Sequence, residues 1–460
     1  MPNWRRPLLS LYDKHVTGCP VPGYVGLLHN FYAQPIALRH DMQTERLLAL
    51  LRHSATHVPF YRDLLARAGV ARDSQIDIGQ FGHVPELTRE VLRTHFERLK
   101  SDDLAARAWY KNSSGGSSGE PVTFLQDDIY CEMGLATTAT HFGWAGWRPG
   151  EPVIRLWGSE RDVLLGSIGW RNKLSAFARN QTVLNAFRMG EAEMASYTIA
   201  MRHLKPVVIE AYAESIFEFA RYLNAKRIRL SGVRHIVTSA GTLYPFMRDE
   251  IRHAFGCEIL NRYGSREVGD CAAERLPGGG LEVFSYTHLV EVVNENGEAC
   301  HEGEEGDVLV TCLTNYAMPL IRYRIGDRAV VGTVAFAPPT RVERLQTVTG
   351  RTTDAFVRED GTTIPATFFI HFMGVVHNAG WLKKTQIIQQ DYRSILIKLV
   401  TVSAPPEGAL EHIRSSLQRV MGAACQVDFE FVDSIAPLPS GKYRYTMSLV
   451  PRSAPAMCAA

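Results

Sequence analysis

A glycine- and serine-rich loop ahead of a short apolar segment is the feature that most restricts the fold of this chain. The loop covers residues 112–121 and reads Asn-Ser-Ser-Gly-Gly-Ser-Ser-Gly-Glu-Pro, and residues 122–125 follow it as a predicted strand. Glycines allow close approach of the backbone to a ligand and direct successive N–H groups toward it, while serine hydroxyls donate to phosphate oxygens. Composition alone favours a flexible linker, so the rest of the chain has to decide between a linker and a polyphosphate-binding loop.

The loop is not a Walker A loop. That motif requires Gly-Lys followed by Ser or Thr, whereas Gly119 precedes Glu120 here. A kinase or P-loop NTPase is therefore disfavoured.

Four short segments, each with a glycine beside polar or charged residues, follow the loop along the chain. They are residues 261–267 (Asn-Arg-Tyr-Gly-Ser-Arg-Glu), 323–327 (Tyr-Arg-Ile-Gly-Asp), 350–354 (Gly-Arg-Thr-Thr-Asp) and 439–444 (Pro-Ser-Gly-Lys-Tyr-Arg). Each segment alone is a weak motif. Together and in this order, the five segments resemble the core motifs of the adenylate-forming superfamily of acyl-CoA synthetases, adenylation domains and luciferases.

The resemblance covers the chain from about residue 27 onward. Residues 46–48 through 59–61 look like the N-terminal helix of the phenylacetate-CoA ligase branch. Within that branch the chain most resembles the capsule-biosynthesis relatives, whose loop carries Gly-Glu-Pro where other members carry Gly-Lys-Pro.

Composition is that of an ordinary globular enzyme. At 460 residues the chain is too long for one hydrophobic core, and its net charge of +2 implies no nucleic-acid partner. The eight cysteines are scattered without a CxxC pair, which favours reduced thiols. We see neither a secretory signal nor an apolar run of the ~18 residues that a membrane helix needs. We therefore expect a cytoplasmic protein without a membrane partner, and leave open whether it is a monomer or a homodimer.

The hydrophobic pattern predicts an α/β fold in two domains. Residues 41–68 and 214–223 have helical spacing, and residues 153–157, 207–209 and 235–238 read as strands that alternate with helices. After about residue 274 the chain becomes β-rich, with strands over residues 289–293 and 307–311 and a turn at Asn296-Gly297. We predict a large domain over residues 1–350 and a small, mobile α+β domain over residues 351–460, with a strand at residues 394–400 and a helix at residues 410–421.

The resemblance also assigns roles to individual residues. It implies that the loop holds the β- and γ-phosphates of ATP, that Tyr263 stacks on adenine, and that Asp327 accepts the ribose hydroxyls. The implied nucleotide contacts are Ser113, Ser114, Gly115, Gly116, Ser117, Ser118, Gly119, Ala240, Gly241, Tyr263, Gly264, Ser265, Asp327 and Arg351. Without the resemblance, core packing would be the preferred interpretation of Tyr263.

Three further residues receive catalytic or mechanical roles in the same way. Glu267 is implied to be the magnesium ligand, and a carboxylate is a suitable ligand because Mg²⁺ prefers oxygen. Lys442 is implied to contact the carboxylate and the α-phosphate during adenylation, which requires the small domain to close over the large one. Asp354 is implied to be the hinge of that movement, and a simple turn cap is the alternative.

The acid pocket of related ligases is lined by the strand and turn before the Tyr-Gly segment and by the helix after the loop. The corresponding candidates here are Ser239, His141, Phe142, Trp144 and Tyr212. Aromatic residues of this kind belong to a core more often than to a pocket. Gly241 departs from the acidic residue that many relatives carry, which puts a nucleotide or acid contact in doubt.

We predict no zinc site. Some relatives bind zinc through a cysteine after a glutamate and through downstream histidines, but Glu274 is followed by Arg275 here. Cys271 and His288 remain, and two ligands do not close a tetrahedral site.

The leading functional hypothesis is the ATP-dependent activation of an aromatic or other small organic acid to acyl-AMP with release of pyrophosphate, followed by transfer to coenzyme A. The alternative acceptor is an amine or a carrier-protein thiol. A nucleotide-binding scaffold that has lost catalysis is a third hypothesis. It is disfavoured because Glu267, Asp327, Arg351 and Lys442 are all intact.

Overall fold

The computed structural model describes most of the chain. The described residues are 20–72, 75–114, 122–157, 179–186, 189–241, 243–351, 356–364, 368–369, 372–373, 381–435 and 446–450. Among them, no helix combines the length and the apolarity that crossing a membrane requires.

Helices of the large domain surround a long sheet. The α-helices of the described residues are α1 Val21–Tyr32, α2 Ile36–His57, α3 Pro59–Arg67, α4 Arg89–Thr94, α5 Phe96–Leu99, α6 Asp128–Trp144, α7 Glu191–Leu204, α8 Ala213–Ala225, α9 Pro245–Phe255 and α10 Ala409–Met421. The predicted helical region at residues 41–68 is confirmed as two helices. They separate at Val58, which is extended. The ring of Pro59 clashes with a helical conformation of the residue before it.

Strands form one large sheet and several small ones. Those described are β1 Ala71–Arg72, β2 Gln75–Ile76, β3 Trp109–Ser113, β4 Thr123–Asp127, β5 Val153–Trp157, β6 Gln181–Asn185, β7 Val208–Tyr212, β8 His235–Ser239, β9 Glu258–Ser265, β10 Gly269–Glu274, β11 Leu281–Val283, β12 His288–Val293, β13 Glu305–Cys312, β14 Tyr323–Ala335, β15 Arg341–Arg351, β16 Phe356–Val357, β17 Thr363–Ile364, β18 Leu382–Asp391, β19 Ser394–Thr401, β20 Gln426–Phe431 and β21 Thr446–Ser448. The α/β class predicted from the sequence is confirmed.

The large sheet has eleven strands in the order β12-β13-β14-β15-β11-β10-β9-β8-β7-β5-β6. Strands β6, β5, β7, β8 and β9 are parallel. Helices α7, α8 and α9 connect the last four strands of this group in sequence order β6, β7, β8 and β9. From β5 the chain continues to its neighbour β6 at the edge of the sheet. It then crosses back over β5 to β7 and continues in the opposite direction through β8 and β9. The direction of the strand order therefore reverses between β5 and β7. Open α/β sheets bind ligands at the carboxyl ends of the strands at such a switch point.

The other half of the large sheet is antiparallel. Strand β9 pairs with β10 in antiparallel register, and the pairing continues through β11, β15, β14, β13 and β12. The strands predicted at residues 289–293 and 307–311 are β12 and β13 and pair directly. The predicted turn is present, with Gly297 at a positive φ of 78°. This half supplies the long strands β14 and β15 to the site described below.

A separate C-terminal domain packs against the parallel half. Its sheet has the order β20-β19-β18-β21, and α10 lies against β20. The predicted strand at residues 394–400 and helix at residues 410–421 are β19 and α10. On the large domain, Tyr244 makes an edge-to-face contact with Phe368, with ring centroids 5.7 Å apart. Beside it, Arg221 of α8 donates to Nδ1 of His412 on α10 at 2.6 Å.

Candidate active site

The phosphate loop predicted from the sequence is anchored by a hairpin. Strands β3 and β4 pair in antiparallel register from Trp109 with Asp127 to Ser113 with Thr123. Ser114 is buried, and its Oγ accepts from the backbone N–H of Val122 at 2.9 Å. The hairpin therefore fixes both ends of the loop, and Ser113 lies exposed at its edge.

A glutamine joins this hairpin to the segment that carries Glu267. Nε2 of Gln126 donates to the carbonyl of Arg266 at 2.9 Å, and its Oε1 accepts from Asn112 at 2.9 Å. The loop and the Tyr-Gly motif, which are about 140 residues apart in sequence, are thus held by one side chain. We did not single out Gln126 from the sequence, because a polar residue at the end of a strand carries no signal of its own.

Glu267 is buried beside an arginine that the sequence analysis missed. Its side chain is 2% exposed, and its Oε1 lies 3.4 Å from an Nη of Arg89. Arg89 also donates to the carbonyl of Ile325 at 3.2 Å. Burial alone would lower the pKa of Arg89, but Tyr323, Glu267 and Asp327 around it raise that pKa above the usual value. Arg89 therefore stays cationic and links the Glu267 segment to β14.

Tyr263 and Asp327 are in direct contact. The Tyr263 hydroxyl donates to Oδ2 of Asp327 at 2.9 Å, and both residues are at most 9% exposed. Asp327 faces Arg351 in the register of β14 and β15. Three segments predicted to contact the nucleotide therefore meet at one place in the sheet.

Gly264 is required by the close approach of two strands. A Cβ at this position would collide with the carbonyl oxygen of Gly269 and lie 2.8 Å from Cα of Asp270. Any side chain would push β9 away from β10. Ser265 follows, and its Oγ accepts from the backbone N–H of Glu267 at 3.2 Å. The Tyr-Gly-Ser sequence thus sets the turn that presents Glu267.

The segment after β8 has an unusual backbone and a carboxylate beside it. Ala240 has a φ of 65°, which is uncommon for a residue with a side chain. At Gly241 a Cβ would collide with the Glu214 carboxylate and lie 2.6 Å from its Cδ. Glu214 is fully buried at the start of α8. The acidic residue that the sequence lacks at Gly241 therefore has a counterpart that reaches this segment from a neighbouring helix.

Of the three aromatic candidates on α6 for the acid pocket, His141 and Phe142 are buried in the core and Trp144 is partly buried. His141 has no exposed surface, and its Nε2 donates to the carbonyl of Glu274 at 3.2 Å. Phe142 is 5% exposed and packs against Val153 and neighbouring apolar residues. Trp144 stacks on Phe284, with ring centroids 5.5 Å apart. These contacts are typical of core packing.

The direction of α6 explains this placement. Its first turn follows β4 at the site, whereas Ala145 at its end accepts from Nδ1 of His235, the first residue of β8, at 2.8 Å. The helix therefore runs from the carboxyl edge of the sheet toward the amino edge. Thirteen residues of helix separate Asp128 from His141, a rise of about 20 Å. Sequence spacing alone does not show which way a helix crosses a sheet.

The pocket candidates Tyr212 and Ser239 lie at the carboxyl edge. They end β7 and β8 and face each other in register. Tyr212 packs against Trp157 at the end of β5, with ring centroids 4.3 Å apart. Below them, Arg155 forms an ion pair with Glu210, which also binds Arg262. We missed Trp157 and Arg155 because the sequence showed only a predicted strand there.

Several predicted residues lie outside the described residues. These are Gly115, Gly116, Ser117, Ser118, Gly119, Lys442 and Asp354. For Arg351 only the backbone is described. Their assignments stay predictions, as does the domain boundary at residues 350 and 351.

The two residues left over from the zinc motif make other contacts. Sγ of Cys271 lies 3.5 Å from the carbonyl of Tyr263. Nε2 of His288 donates to the carbonyl of Val268 at 2.6 Å. Burial lowers the pKa of His288 to about 4, so its imidazole is neutral near pH 7.

The described site is compatible with a nucleotide and a divalent cation. Gly264 allows β9 and β10 to approach closely beside the Glu267 turn, and Tyr263 and Asp327 supply an aromatic ring and a carboxylate in contact. Glu267 supplies the carboxylate oxygens that Mg²⁺ prefers. Arg89 beside Glu267 fixes the position of that carboxylate.

Known proteins resemble the chain in sequence. The CapK C-terminal domain family matches residues 356–448. Protein CapK of Staphylococcus aureus is 23% identical over 422 residues, which cover 89% of each chain. A phenylacetate-coenzyme A ligase of Thermus thermophilus is 26% identical over 332 residues, which cover 69% of this chain and 71% of the relative.

The fold also resembles a solved structure. The crystal structure of 2-hydroxyisobutyryl-CoA ligase in the postadenylation state superposes with a TM-score of 0.61. The match covers 91% of both chains at 19% sequence identity, so it concerns the fold alone.

Proposed function

Because the chain belongs to the adenylate-forming superfamily, in its phenylacetate-CoA ligase-like branch, we propose that it is an AMP-forming acid ligase. It activates a carboxylic acid with ATP to an acyl-adenylate and pyrophosphate, and then transfers the acyl group to coenzyme A. The observation that carries this proposal is the joining of separate motifs at one edge of the sheet. Gln126 holds the loop hairpin to the Glu267 segment, and Tyr263 donates to Asp327.

The first half-reaction joins two anions. A carboxylate oxygen of the acid attacks the α-phosphorus of ATP, and the bond to the bridging oxygen breaks as pyrophosphate leaves. Positioning and charge neutralisation dominate such a step. The loop after Ser113 offers N–H and hydroxyl donors for the β- and γ-phosphates, Asp327 binds the ribose, and Arg89 provides a fixed positive charge near Glu267.

Glu267 would hold a magnesium ion. Its carboxylate is buried, and the Arg89 guanidinium 3.4 Å away fixes its position. Magnesium, when bound, neutralises phosphate charge and orients pyrophosphate as leaving group.

In the second half-reaction, a thiol has to reach the acyl carbon of the acyl-adenylate formed in the first. The thiol sulfur of coenzyme A attacks the acyl carbon, its proton is lost, and AMP leaves as the carbon–oxygen bond breaks. We propose that the C-terminal domain rotates about Asp354 between the steps, so that Lys442 serves the first step and withdraws for the second. An amine or a carrier-protein thiol is the alternative acceptor for the same acyl-adenylate. The free cysteines among the described residues suit a reducing compartment, and we propose the cytoplasm.

The experiment that tests this function follows each bond separately. The protein is incubated with ATP, Mg²⁺ and a panel of aromatic and small organic acids, and pyrophosphate and acyl-AMP are measured. Coenzyme A, simple amines or an acyl carrier protein are then added, and the acylated product is identified by mass spectrometry. Acid-dependent pyrophosphate release with acyl-CoA formation is the expected result. ATP hydrolysis to ADP, or no acid dependence with any acid, contradicts an AMP-forming ligase.

Lys442→Ala tests the role proposed for the lysine. Loss of one charge contact to the reacting oxygens should lower acyl-AMP formation by about 100-fold or more. The same variant should still convert pre-made acyl-adenylate and coenzyme A to the thioester. The conservative control is Lys442→Arg. Wild-type adenylation by Lys442→Ala would show that another cation acts at the α-phosphate.

A further inference from the structure

The half-buried Arg155 points to the substrate class. We propose, on the basis of the function proposed above, that the acid is aromatic and carries a hydrogen-bond-accepting group at the end remote from the carboxylate that is activated. Arg155 binds that group, and Trp157 and Tyr212 hold the ring.

Arg155 lies at the switch point of the sheet. It is in register with Glu210 of β7, and Val153 on the same face of β5 packs against Phe142 of α6. The crevice of an open α/β sheet lies at the carboxyl ends of the strands that flank the switch point. Arg155 precedes the end of β5 by two residues, a distance of about 6.6 Å along the strand. A benzene ring with one substituent spans a similar length.

A charged residue at this place needs an explanation. Strands inside a parallel sheet are covered on both faces and are usually apolar. The Arg155 side chain is nevertheless 31% exposed, in contrast to 2% for Glu210 and 4% for Arg262. A half-buried arginine in the middle of an inner strand, with about a third of its side chain exposed, indicates open space above this face of the sheet.

The ion pair of Arg155 with Glu210 leaves most of its N–H donors available. Its Nε pairs with the carboxylate of Glu210, and this carboxylate also binds Arg262. Burial would raise the pKa of Glu210, but the two guanidinium groups lower it. Within the part of the chain that the structure describes, neither terminal nitrogen of Arg155 has a hydrogen-bond acceptor. An arginine side chain has five N–H donors, so four of them can reach a ligand.

The simplest alternative role for Arg155 is to neutralise the negative charge of the buried Glu210 carboxylate. However, Arg262 already binds Glu210 and is itself paired with Asp270 at 3.1 Å. Glu210 therefore keeps a cationic partner without Arg155. The two guanidinium groups and the carboxylates of Glu210 and Asp270 balance in charge, so Arg155 offers a ligand its remaining N–H donors rather than an excess of positive charge.

Aromatic side chains surround the same guanidinium. Arg155 lies 5.3 Å from the ring centre of Trp157, and Trp157 packs against Tyr212 with ring centroids 4.3 Å apart. Both aromatic residues end their strands at the carboxyl edge. A flat ring can pack against such a wall while its substituent reaches the terminal nitrogens of Arg155.

The test measures binding, so that it does not depend on turnover. Three non-reactive acyl-adenylate analogues (acyl sulfamoyl adenosines) are compared by calorimetry: phenylacetyl, 4-hydroxyphenylacetyl and 4-carboxyphenylacetyl. We expect at least one of the two substituted analogues to bind about 10- to 100-fold more tightly than the unsubstituted one, as for a hydrogen bond to a charged group. Their order distinguishes a neutral from an anionic acceptor.

Arg155→Met removes the donors and keeps most of the apolar stem. We expect it to abolish the preference, and a circular dichroism spectrum and thermal melt that match the wild-type protein show that the variant is folded. Arg358→Met, in the C-terminal domain, has a similar exposure and an acidic partner in Asp360, and it should leave the preference unchanged. Equal binding of the three analogues by the wild-type protein, or a preference that persists in Arg155→Met, overturns the inference.

The proposed function is tested separately by pyrophosphate release with the parent acids. An analogue preference that depends on Arg155, together with no pyrophosphate release, would contradict the ligase activity and support the pocket assignment. Pyrophosphate release without any such preference would contradict the pocket assignment alone.

Discussion

At the scale of single residues, the site is built from buried charges that are paired with one another. Arg89 contacts Glu267 and the carbonyl of Ile325, and Tyr263 donates to Asp327. A buried charge is costly unless it is paired or hydrogen-bonded. The pairing therefore fixes the positions of these groups before any ligand binds, which is a requirement for electrostatic catalysis.

Glu267→Gln removes the negative charge and keeps the shape of the side chain. We expect the Mg²⁺ concentration for half-maximal activity to rise by about tenfold or more, because a neutral amide is a poorer ligand for Mg²⁺ than a carboxylate. A magnesium titration of pyrophosphate release measures this effect, and circular dichroism checks the fold. Glu302→Gln in an exposed turn is the matched control. An unchanged titration for Glu267→Gln would place the metal ligand elsewhere.

At the scale of secondary-structure elements, the approach of β9 and β10 sets the position of the Glu267 turn. Gly264 faces Asp270 in the register of the two strands, and the space for a Cβ is filled by the backbone of β10. The register shifts just beyond this point, between Asp270 and Ala272. A change at Gly264 should therefore affect the turn that follows as well as the local pairing.

Gly264→Ala should destabilise the protein by about 1–3 kcal/mol, as expected for overpacking, and should reduce adenylation by more than the loss of folded protein explains. Urea unfolding and pyrophosphate release at a temperature where both proteins are folded measure the two effects. Gly143→Ala is the control, since a Cβ there meets no atom within 4 Å and the position is helical. If Gly264→Ala matched the control in stability, the strands would be farther apart than the structure has them.

At the scale of the whole molecule, the two domains share an apolar core and a polar contact. Buried residues of α8 and α9 belong to the same cluster as Ile413 and Leu417 of α10. Beside this cluster, Nε2 of His412 lies 3.2 Å from Glu218, whose carboxylate also pairs with Arg221 at 3.1 Å. A domain that swivels has to give up part of this contact in one of its arrangements.

His412→Ala should therefore alter the balance between the two arrangements. We expect one half-reaction to change by about 5-fold or more while the other stays within about 2-fold. Pyrophosphate release and conversion of pre-made acyl-adenylate to thioester measure the two steps. Arg419→Ala, an exposed change on the same helix, should affect neither. An equal change in both steps after His412→Ala would argue against rotation at this contact.

Stability of the large domain should fall in mild acid because of two buried histidines. Burial lowers the pKa of His141 to about 3 and that of His288 to about 4, from an ordinary value of 6.5. Their contribution is fully present above pH 6.5 and is lost as the pH falls toward the folded-state values, because only the unfolded chain then takes up protons. The loss is about 2 kcal/mol for each histidine between pH 7.5 and pH 5.0.

Urea unfolding at pH 7.5, 6.0 and 5.0 measures this dependence. His288→Gln should reduce the pH dependence by about half of the two-histidine effect. His301→Gln, which changes an exposed histidine, should leave it unchanged. A pH dependence that is the same in His288→Gln and in the wild-type protein would show that His288 is not held neutral in the folded state.

Much of the architecture followed from the sequence, because local patterns determine local structure. Helical spacing gave α8 and α10, and strand-length apolar runs gave β5, β7 and β8. The five motifs occur in the same order as in the adenylate-forming superfamily, and this shared order indicated the superfamily. Tyr263 and Asp327 were named from that order, and the structure brings them into contact.

Only the tertiary structure decided which side chains face the site and which are buried in the core. His141, Phe142 and Trp144 looked like pocket residues, but α6 runs away from the carboxyl edge and carries them into packed regions. Arg89 and Arg155 had no sequence signal and lie at the site or its switch point. The physical reason is that a periodic pattern specifies the face of an element. Its direction and partners depend on contacts between residues far apart in the chain.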